Sequence, residues 1–142
     1  MIAEVGHFSL MLGFALALAQ AIVPLYGAWR GRAALMAVGR AAARGQLLFV
    51  LLSYACLHLL FIANDFSVRL VADNSHTRTP LIYRTTAVWG NHEGSMLLWI
   101  VSLSLWTAAV ARWSRGLPEA FTARVLGALG AVSAGFTAFT LL

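Results

Sequence analysis

Charge is the scarcest property of this sequence. Only 11% of its 142 residues are charged, against roughly 25% in an average soluble domain, which excludes an ordinary water-soluble fold. Cys56 is the single cysteine, so an intramolecular disulfide and every two-cysteine motif are excluded too. Lysine is absent, and the sequence pI of about 10.7 comes from arginine alone. These arginines form no basic groove with interleaved aromatic residues, so they do not indicate nucleic-acid binding.

Long apolar runs take the place of charge. Runs of 25, 20, 18 and 18 residues carry no charge, at 5–29, 45–64, 94–111 and 125–142. A helix needs about 20 apolar residues to cross the ~30 Å hydrocarbon core of a bilayer. We therefore predict an all-α polytopic membrane protein with four transmembrane helices, near 7–29, 45–63, 92–113 and 122–142. The first run is too long for a cleaved signal peptide, and Glu4 rather than a basic residue precedes it.

The arginines predict the orientation of these helices. Two short connections are dense in arginine, whereas the longer segment 64–91 mixes arginine with aspartate. The members are Arg30, Arg32, Arg40 and Arg44 after the first helix, Arg112, Arg115 and Arg124 after the third, and Arg69, Arg78 and Arg84 in the longer segment. Positive-inside bias places the two dense connections in the cytoplasm. The N-terminus and a loop at 64–91 are then periplasmic.

Small residues recur every fourth position on two of the predicted helices, as Gly13, Ala17 and Ala21 and as Ala123, Gly127, Ala131 and Gly135. Such spacing lets helices approach closely in lipid. We predict packing faces at both stripes.

The most informative local pattern is an asparagine–histidine–glutamate triplet at the start of the third helix. The candidate functional motif consists of Trp89, Gly90, Asn91, His92, Glu93, Gly94, Ser95 and Trp99. Ionisable residues at a membrane boundary indicate function, whereas a capped helix end with an interfacial tryptophan is the simpler interpretation. We expect Asn91 to cap the helix, Gly90 and Gly94 to admit a close neighbour, and His92 and Glu93 to orient the loop through hydrogen bonds.

Catalytic patterns are missing around this triplet. A zinc-protease helix needs a second histidine where Met96 stands, and no nucleophile-elbow turn surrounds Ser95. We therefore assign no catalytic residue and no metal ligand.

Several segments together resemble the N-terminal region of CcmF, a cytochrome c-type biogenesis protein family of the haem lyase complex. They are MIAEVGHF at 1–8, GQLLF at 45–49, NDFSV at 64–68 and VWGNHEGS at 88–95. The resemblance implies a multi-pass protein of the bacterial inner membrane that takes part in covalent attachment of haem to apocytochrome c on the periplasmic side. It implies haem b in the full-length family member, and as partners the remainder of the haem lyase, other cytochrome c maturation subunits, a periplasmic haem chaperone and apocytochrome c.

The chain departs from that family in two respects. It contains no tryptophan-rich periplasmic loop, and its four histidines, His7, His58, His76 and His92, do not match the family's haem ligands. Ligation by His58 with His92 or His7 would need helix faces that the sequence does not define. We therefore expect residues 1–142 to be one N-terminal membrane domain, a fragment or a split subunit, that holds no haem and catalyses nothing alone.

Three functions stay open at this point. The chain is part of a haem lyase, or a small transporter or channel subunit with a polar path at His92 and Glu93, or a ligand-free assembly scaffold. Within the first, Arg69, Arg78 and Arg84 are candidate contacts for haem propionates or partner carboxylates, because arginine matches carboxylate geometry.

Overall fold

Six α-helices and one short 3-10 turn make up the protein, and the computed structural model describes all 142 residues. The helices are α1 (Ile2–Arg30), α2 (Ala33–Ile62), α3 (Arg69–Asn74), α4 (Leu81–Gly90), α5 (His92–Trp113) and α6 (Glu119–Leu141), with the 3-10 turn at Ser114–Gly116. Four of them, α1, α2, α5 and α6, are long and apolar enough to cross a membrane. The predicted all-α fold with four membrane-competent helices is confirmed.

The second long helix begins much earlier than predicted. It starts at Ala33 rather than near residue 45, so that Arg40 and Arg44 lie within α2 and the connection shrinks to Gly31 and Arg32. Charge-free runs report only the part of a helix suited to hydrocarbon, whereas residues 33–44 consist mainly of alanine and other strong helix formers. Gly31 makes the tight turn in the left-handed region, at φ 66°.

Glycines bring the long helices together. A Cβ at Gly27 would lie 2.7 Å from the backbone nitrogen of Met36 in α2, and one at Gly130 would lie 2.7 Å from that of Ala21 in α1. On α6 the predicted stripe is only half right, because Ala123 and Gly127 are buried while Ala131 and Gly135 are exposed. A four-residue step exceeds the 3.6-residue turn, so the stripe winds away from the buried face.

The segment predicted as a loop at 64–91 folds onto one end of the bundle, which we call the loop end. It contains α3 and α4, whose Val71 and Val88 pack with Leu60 and Phe61 of α2 in a buried cluster. A Schellman arrangement ends α2: the amide of Asp65 donates to the Leu60 carbonyl at 3.0 Å and that of Asn64 to the Phe61 carbonyl at 3.2 Å. Asn64 adopts the left-handed conformation, with φ 52°, which asparagine tolerates at this position.

The opposite end, which we call the arginine end, comprises the connections 31–32 and 114–118 and the helix ends beside them. The side chain of Arg40 in α2 extends to the C-terminal end of α5. Its Nη1 donates to the carbonyl of Ala111 and to the Ser114 hydroxyl, the latter at 3.2 Å, and its Nε lies 3.9 Å from Glu119 Oε1. A cation at the C-terminus of a helix is favoured by the helix dipole. This contact joins α2 to both α5 and α6.

Candidate functional site

Asn91 connects the two helices of the candidate motif. Its buried side chain accepts from the Gly94 amide at 2.6 Å, which caps α5, and donates from Nδ2 to the carbonyls of Ala87 at 2.7 Å and Val88 at 3.1 Å. The predicted cap is confirmed. Sequence reasoning missed the second half of the role, because the return bonds to α4 depend on how sharply the chain turns between the helices.

The two glycines of the motif behave differently. A Cβ at Gly94 would overlap the carbonyl oxygen of Val88, whereas one at Gly90 would meet nothing within 4 Å. The predicted close approach of another backbone is therefore confirmed at Gly94, whereas the space beside Gly90 is open. The packing of α4 against α5 therefore requires a glycine at position 94 but not at position 90.

His92 and Glu93 extend from the first turn of α5 and are both exposed. The His92 ring packs edge-on against Phe139 of α6, with the ring centroids 6.4 Å apart. Neither side chain forms a hydrogen bond, so the expectation that they orient the loop in this way is wrong. Ser95 donates to the His92 carbonyl at 3.0 Å and is part of the helix cap region, with no base beside it.

The two tryptophans of the motif face outward. Trp89 donates its indole N–H to the Thr85 carbonyl one turn earlier in α4, at 2.7 Å. Trp99 is 65% exposed and lies against Phe136 of α6, with a centroid separation of 6.4 Å. Neither ring reaches the buried turn at Asn91.

A crevice of about 220 Å³ opens beside Glu93 at the loop end. The four long helices contribute its walls, and Val68 and Leu70 cover it from the outer segment. Its polar lining comes from Glu93, His7, Ser53, Cys56 and Thr140. Sequence reasoning missed His7, Ser53, Cys56 and Thr140 as neighbours of Glu93, because they are far apart along the chain and carry no shared local pattern. This mostly apolar lining suits an apolar ligand that carries one polar group.

The three candidate arginines of the outer segment differ in what they already bind. Arg84 donates to three backbone carbonyls, those of Thr79 at 2.9 Å, Ile62 at 3.2 Å and Thr77 at 3.3 Å. Arg69 lies 3.4 Å from the Asp73 carboxylate in an exposed ion pair. Arg78 is exposed and has no partner in the fold. Arg84 is therefore an internal clamp between α2 and the segment 77–79, and Arg78 is the freest cation.

Replacing Arg84 with alanine is expected to loosen the outer segment while leaving the bundle folded. Three carbonyls lose a charged donor, and hydrogen bonds to charged groups contribute about 1.5–3 kcal/mol each. Amide hydrogen exchange in detergent should show faster exchange over 75–90 and unchanged protection in α5. Arg78→Ala is the matched control, and equal exchange in the two variants would contradict the clamp.

Asp65 begins the outer segment with a fixed charge. The hydroxyl and the backbone amide of Ser67 both donate to its carboxylate, and these two hydrogen bonds hold the pKa of Asp65 below its usual value of 3.8. The loop end thus keeps this negative charge in mildly acidic solution.

The four histidines face different neighbours. His7 lines the crevice, His58 lies beside Tyr54 with ring centroids 6.2 Å apart, His92 packs on Phe139, and His76 is exposed in the loop. No three histidine, cysteine or carboxylate side chains are grouped as metal ligands.

Comparison with known proteins confirms the resemblance that the sequence predicts. The cytochrome c-type biogenesis protein CcmF of Pseudomonas aeruginosa is 48% identical over 142 residues. The protein of the same name from Escherichia coli is 46% identical over 143 residues, and the cytochrome c-type biogenesis protein ccl1 of Rhodobacter capsulatus is 46% identical over 141. These alignments cover 99–100% of this chain and 22% of each relative. No protein-family model matches the chain.

The fold is shared as well. A solved structure described as cytochrome c heme lyase CcmF superimposes with a TM-score of 0.91 at 26% identity, over 97% of this chain and 23% of that one. The parts of the curated CcmF relatives that match this chain are their N-terminal parts. The chain spans about a fifth of the length of the relatives that it matches.

Proposed function

We propose that this chain is the N-terminal membrane domain of a CcmF-type haem lyase and takes part in covalent attachment of haem to apocytochrome c. The observation that carries the proposal is identity of 46–48% along essentially the whole chain to proteins named for cytochrome c biogenesis. The superposition with a TM-score of 0.91 on a cytochrome c heme lyase supports it at the level of the fold. The remaining four-fifths of a CcmF-type protein would then belong to the same polypeptide as these 142 residues or to a separate subunit.

The charge distribution supports a periplasmic loop end. The arginine end carries seven of the ten arginines and one carboxylate, Glu119, whereas the loop end carries three arginines and four carboxylates. Under the positive-inside rule the arginine end faces the cytoplasm of a bacterial inner membrane. The N-terminus, the Asn91 turn and the crevice beside Glu93 are then on the periplasmic side, where apocytochrome c and a haem chaperone arrive.

Within this assignment the chain acts as a scaffold. Its histidines face separate neighbours, so the haem b of the full-length protein is held by residues of the remainder. The Asn91 turn fixes the direction in which α5 leaves the outer segment, and His92 and Glu93 are exposed at the periplasmic surface without side-chain hydrogen bonds. Arg78 and Arg69 are the cations available to propionates or partner carboxylates, because the donors of Arg84 already serve backbone carbonyls.

Replacing His92 with alanine and Glu93 with glutamine is expected to lower cytochrome c maturation several-fold without lowering the amount of protein. Both side chains are exposed and free of hydrogen bonds, so their removal costs the fold little. The measurement is haem-stained cytochrome c in a bacterium whose own CcmF is deleted and which produces this chain with the remaining part of the haem lyase.

The control carries Glu4→Gln and His76→Ala, two exposed residues of the same types at the same end, and should mature cytochrome c normally. Normal maturation by the His92 and Glu93 variant would remove these residues from the mechanism. Failure of the wild-type chain to restore any maturation would overturn the haem lyase assignment itself. Ion flux through the purified chain in vesicles would then favour the transporter alternative.

A further inference from the structure

Three tryptophans form a ridge along the outer face of α5. Trp99, Trp106 and Trp113 are spaced seven residues apart and are 65%, 72% and 78% exposed. Seven residues are close to two helical turns, so the three side chains lie nearly in line. We call this set the tryptophan ridge.

An interfacial belt explains only one end of the ridge. Trp113 follows Arg112 at the arginine end, where a belt tryptophan is expected. Trp99 and Trp106 instead lie about 5 Å on either side of the midpoint of α5, at 1.5 Å per residue. Both are therefore at the depth of the hydrocarbon core.

The indole N–H groups at that depth have no acceptor within the protein. Trp89 donates its indole N–H to a carbonyl, whereas Trp99 and Trp106 donate to none. Hydrocarbon offers no acceptor either, so facing lipid leaves each N–H unsatisfied at a cost in free energy. Buried tryptophans usually find a hydrogen-bond partner, which indicates that protein covers this face.

Two apolar grooves lie along the ridge. One has a volume of about 340 Å³ and is lined by Trp106, Ala109, Val110, Trp113, Ser114 and Leu117. The other, between α5 and α6, has about 400 Å³ and is lined by Met96, Ala131, Val132, Gly135, Phe136 and Phe139. A ridge beside grooves is the surface that helix packing requires.

We infer that the tryptophan ridge is the docking surface for a transmembrane helix from the remaining part of the haem lyase. The inference rests on the proposed function, in which this chain spans only 22% of its relatives' length and the remainder must pack against it. The docking helix carries small residues opposite the indoles, so that it can enter a groove, and a hydroxyl or free carbonyl that accepts from Trp106. A second copy of this chain would set one ridge of bulky rings against another and leave the grooves unfilled.

Photo-crosslinking in cells tests the occupant directly. A benzophenone amino acid at position 102, an exposed serine between Trp99 and Trp106, in the chain produced with the remaining part of the haem lyase, should capture that remainder in a product identified by peptide mass. Capture of a second copy of the chain, or of lipid only, would overturn the inference. Cytochrome c maturation measured in the same cells reports on the proposed function separately, since maturation with lipid-only capture leaves that function standing.

A matched pair of substitutions tests the hydrogen bond. Trp106→Phe keeps an apolar ring but removes the N–H at mid-depth, and it should weaken co-purification of the remainder several-fold. Trp29→Phe makes the same change at an exposed tryptophan of α1, outside the ridge, and it should have no effect. Because hot-spot tryptophans contribute strongly to interfaces, combined alanine substitution at 99 and 106 should weaken association more than about tenfold. Unchanged co-purification in that double variant would refute the docking surface.

Discussion

Gly94→Ala is expected to prevent the α4–α5 turn from forming and to remove most of the folded protein from the membrane. The new Cβ would overlap the carbonyl oxygen of Val88, which belongs to a helix backbone and cannot rotate aside as a side chain could. Val88 is itself fully buried against Leu60 and Phe61, so the carbonyl cannot retreat without opening that cluster. Overpacking usually costs about 1–3 kcal/mol, and a backbone clash belongs at or above the upper end.

Gly90→Ala is the matched control for this substitution. A Cβ at Gly90 meets nothing within 4 Å, and alanine is favoured over glycine in a helix by up to ~1 kcal/mol. The two variants, four residues apart, should therefore change stability in opposite directions. Membrane yield and the midpoint of thermal unfolding in detergent measure this, and a Gly94→Ala protein as stable as wild type would show that the turn has a different geometry.

The contrast between these glycines shows where prediction from sequence ends. The membrane helices could be predicted because hydrocarbon thickness imposes a length and a polarity on any chain that crosses it. Asn91 could be predicted because a helix cap depends on a few adjacent residues. Which glycine meets a carbonyl depends on the angle between α4 and α5, and that angle is set by the packing of Val88 against α2.

The arginines show the same limit of prediction from sequence. The sequence assigned Arg40 and Arg44 alike to a connection and assigned Arg84 to ligands, because their number and order in the chain carry the topological signal. In the fold Arg84 holds carbonyls of α2 and the segment 77–79, and Arg40 holds the end of α5. The contacts of Arg84 and Arg40 depend on helices that are distant in sequence. No local sequence pattern therefore distinguishes these two arginines from Arg44, which has no partner.

Arg40→Ala is expected to destabilise the bundle by about 3 kcal/mol, at the upper end of what hydrogen bonds to a charged group contribute. The Arg40 side chain is only 12% exposed. Its loss leaves the carbonyl of Ala111, a buried residue near the end of α5, without the hydrogen bond that Arg40 donates. Ser114 loses donors to both its hydroxyl and its carbonyl, at 3.2 and 3.4 Å. Glu119 contributes less, because it is 46% exposed and 3.9 Å away.

Arg44→Ala removes the same charge one turn further along α2, from an exposed residue without a partner, and should change stability by less than about 0.5 kcal/mol. Arg40→Lys keeps the charge but has no planar fork to reach both Ala111 and Ser114, so it should recover only part of the loss. Thermal unfolding of the three variants in one detergent measures the order expected: Arg44→Ala above Arg40→Lys, and Arg40→Lys above Arg40→Ala. Equal losses at 40 and 44 would mean that charge at the arginine end, and not the contact between α2 and α5, stabilises the bundle.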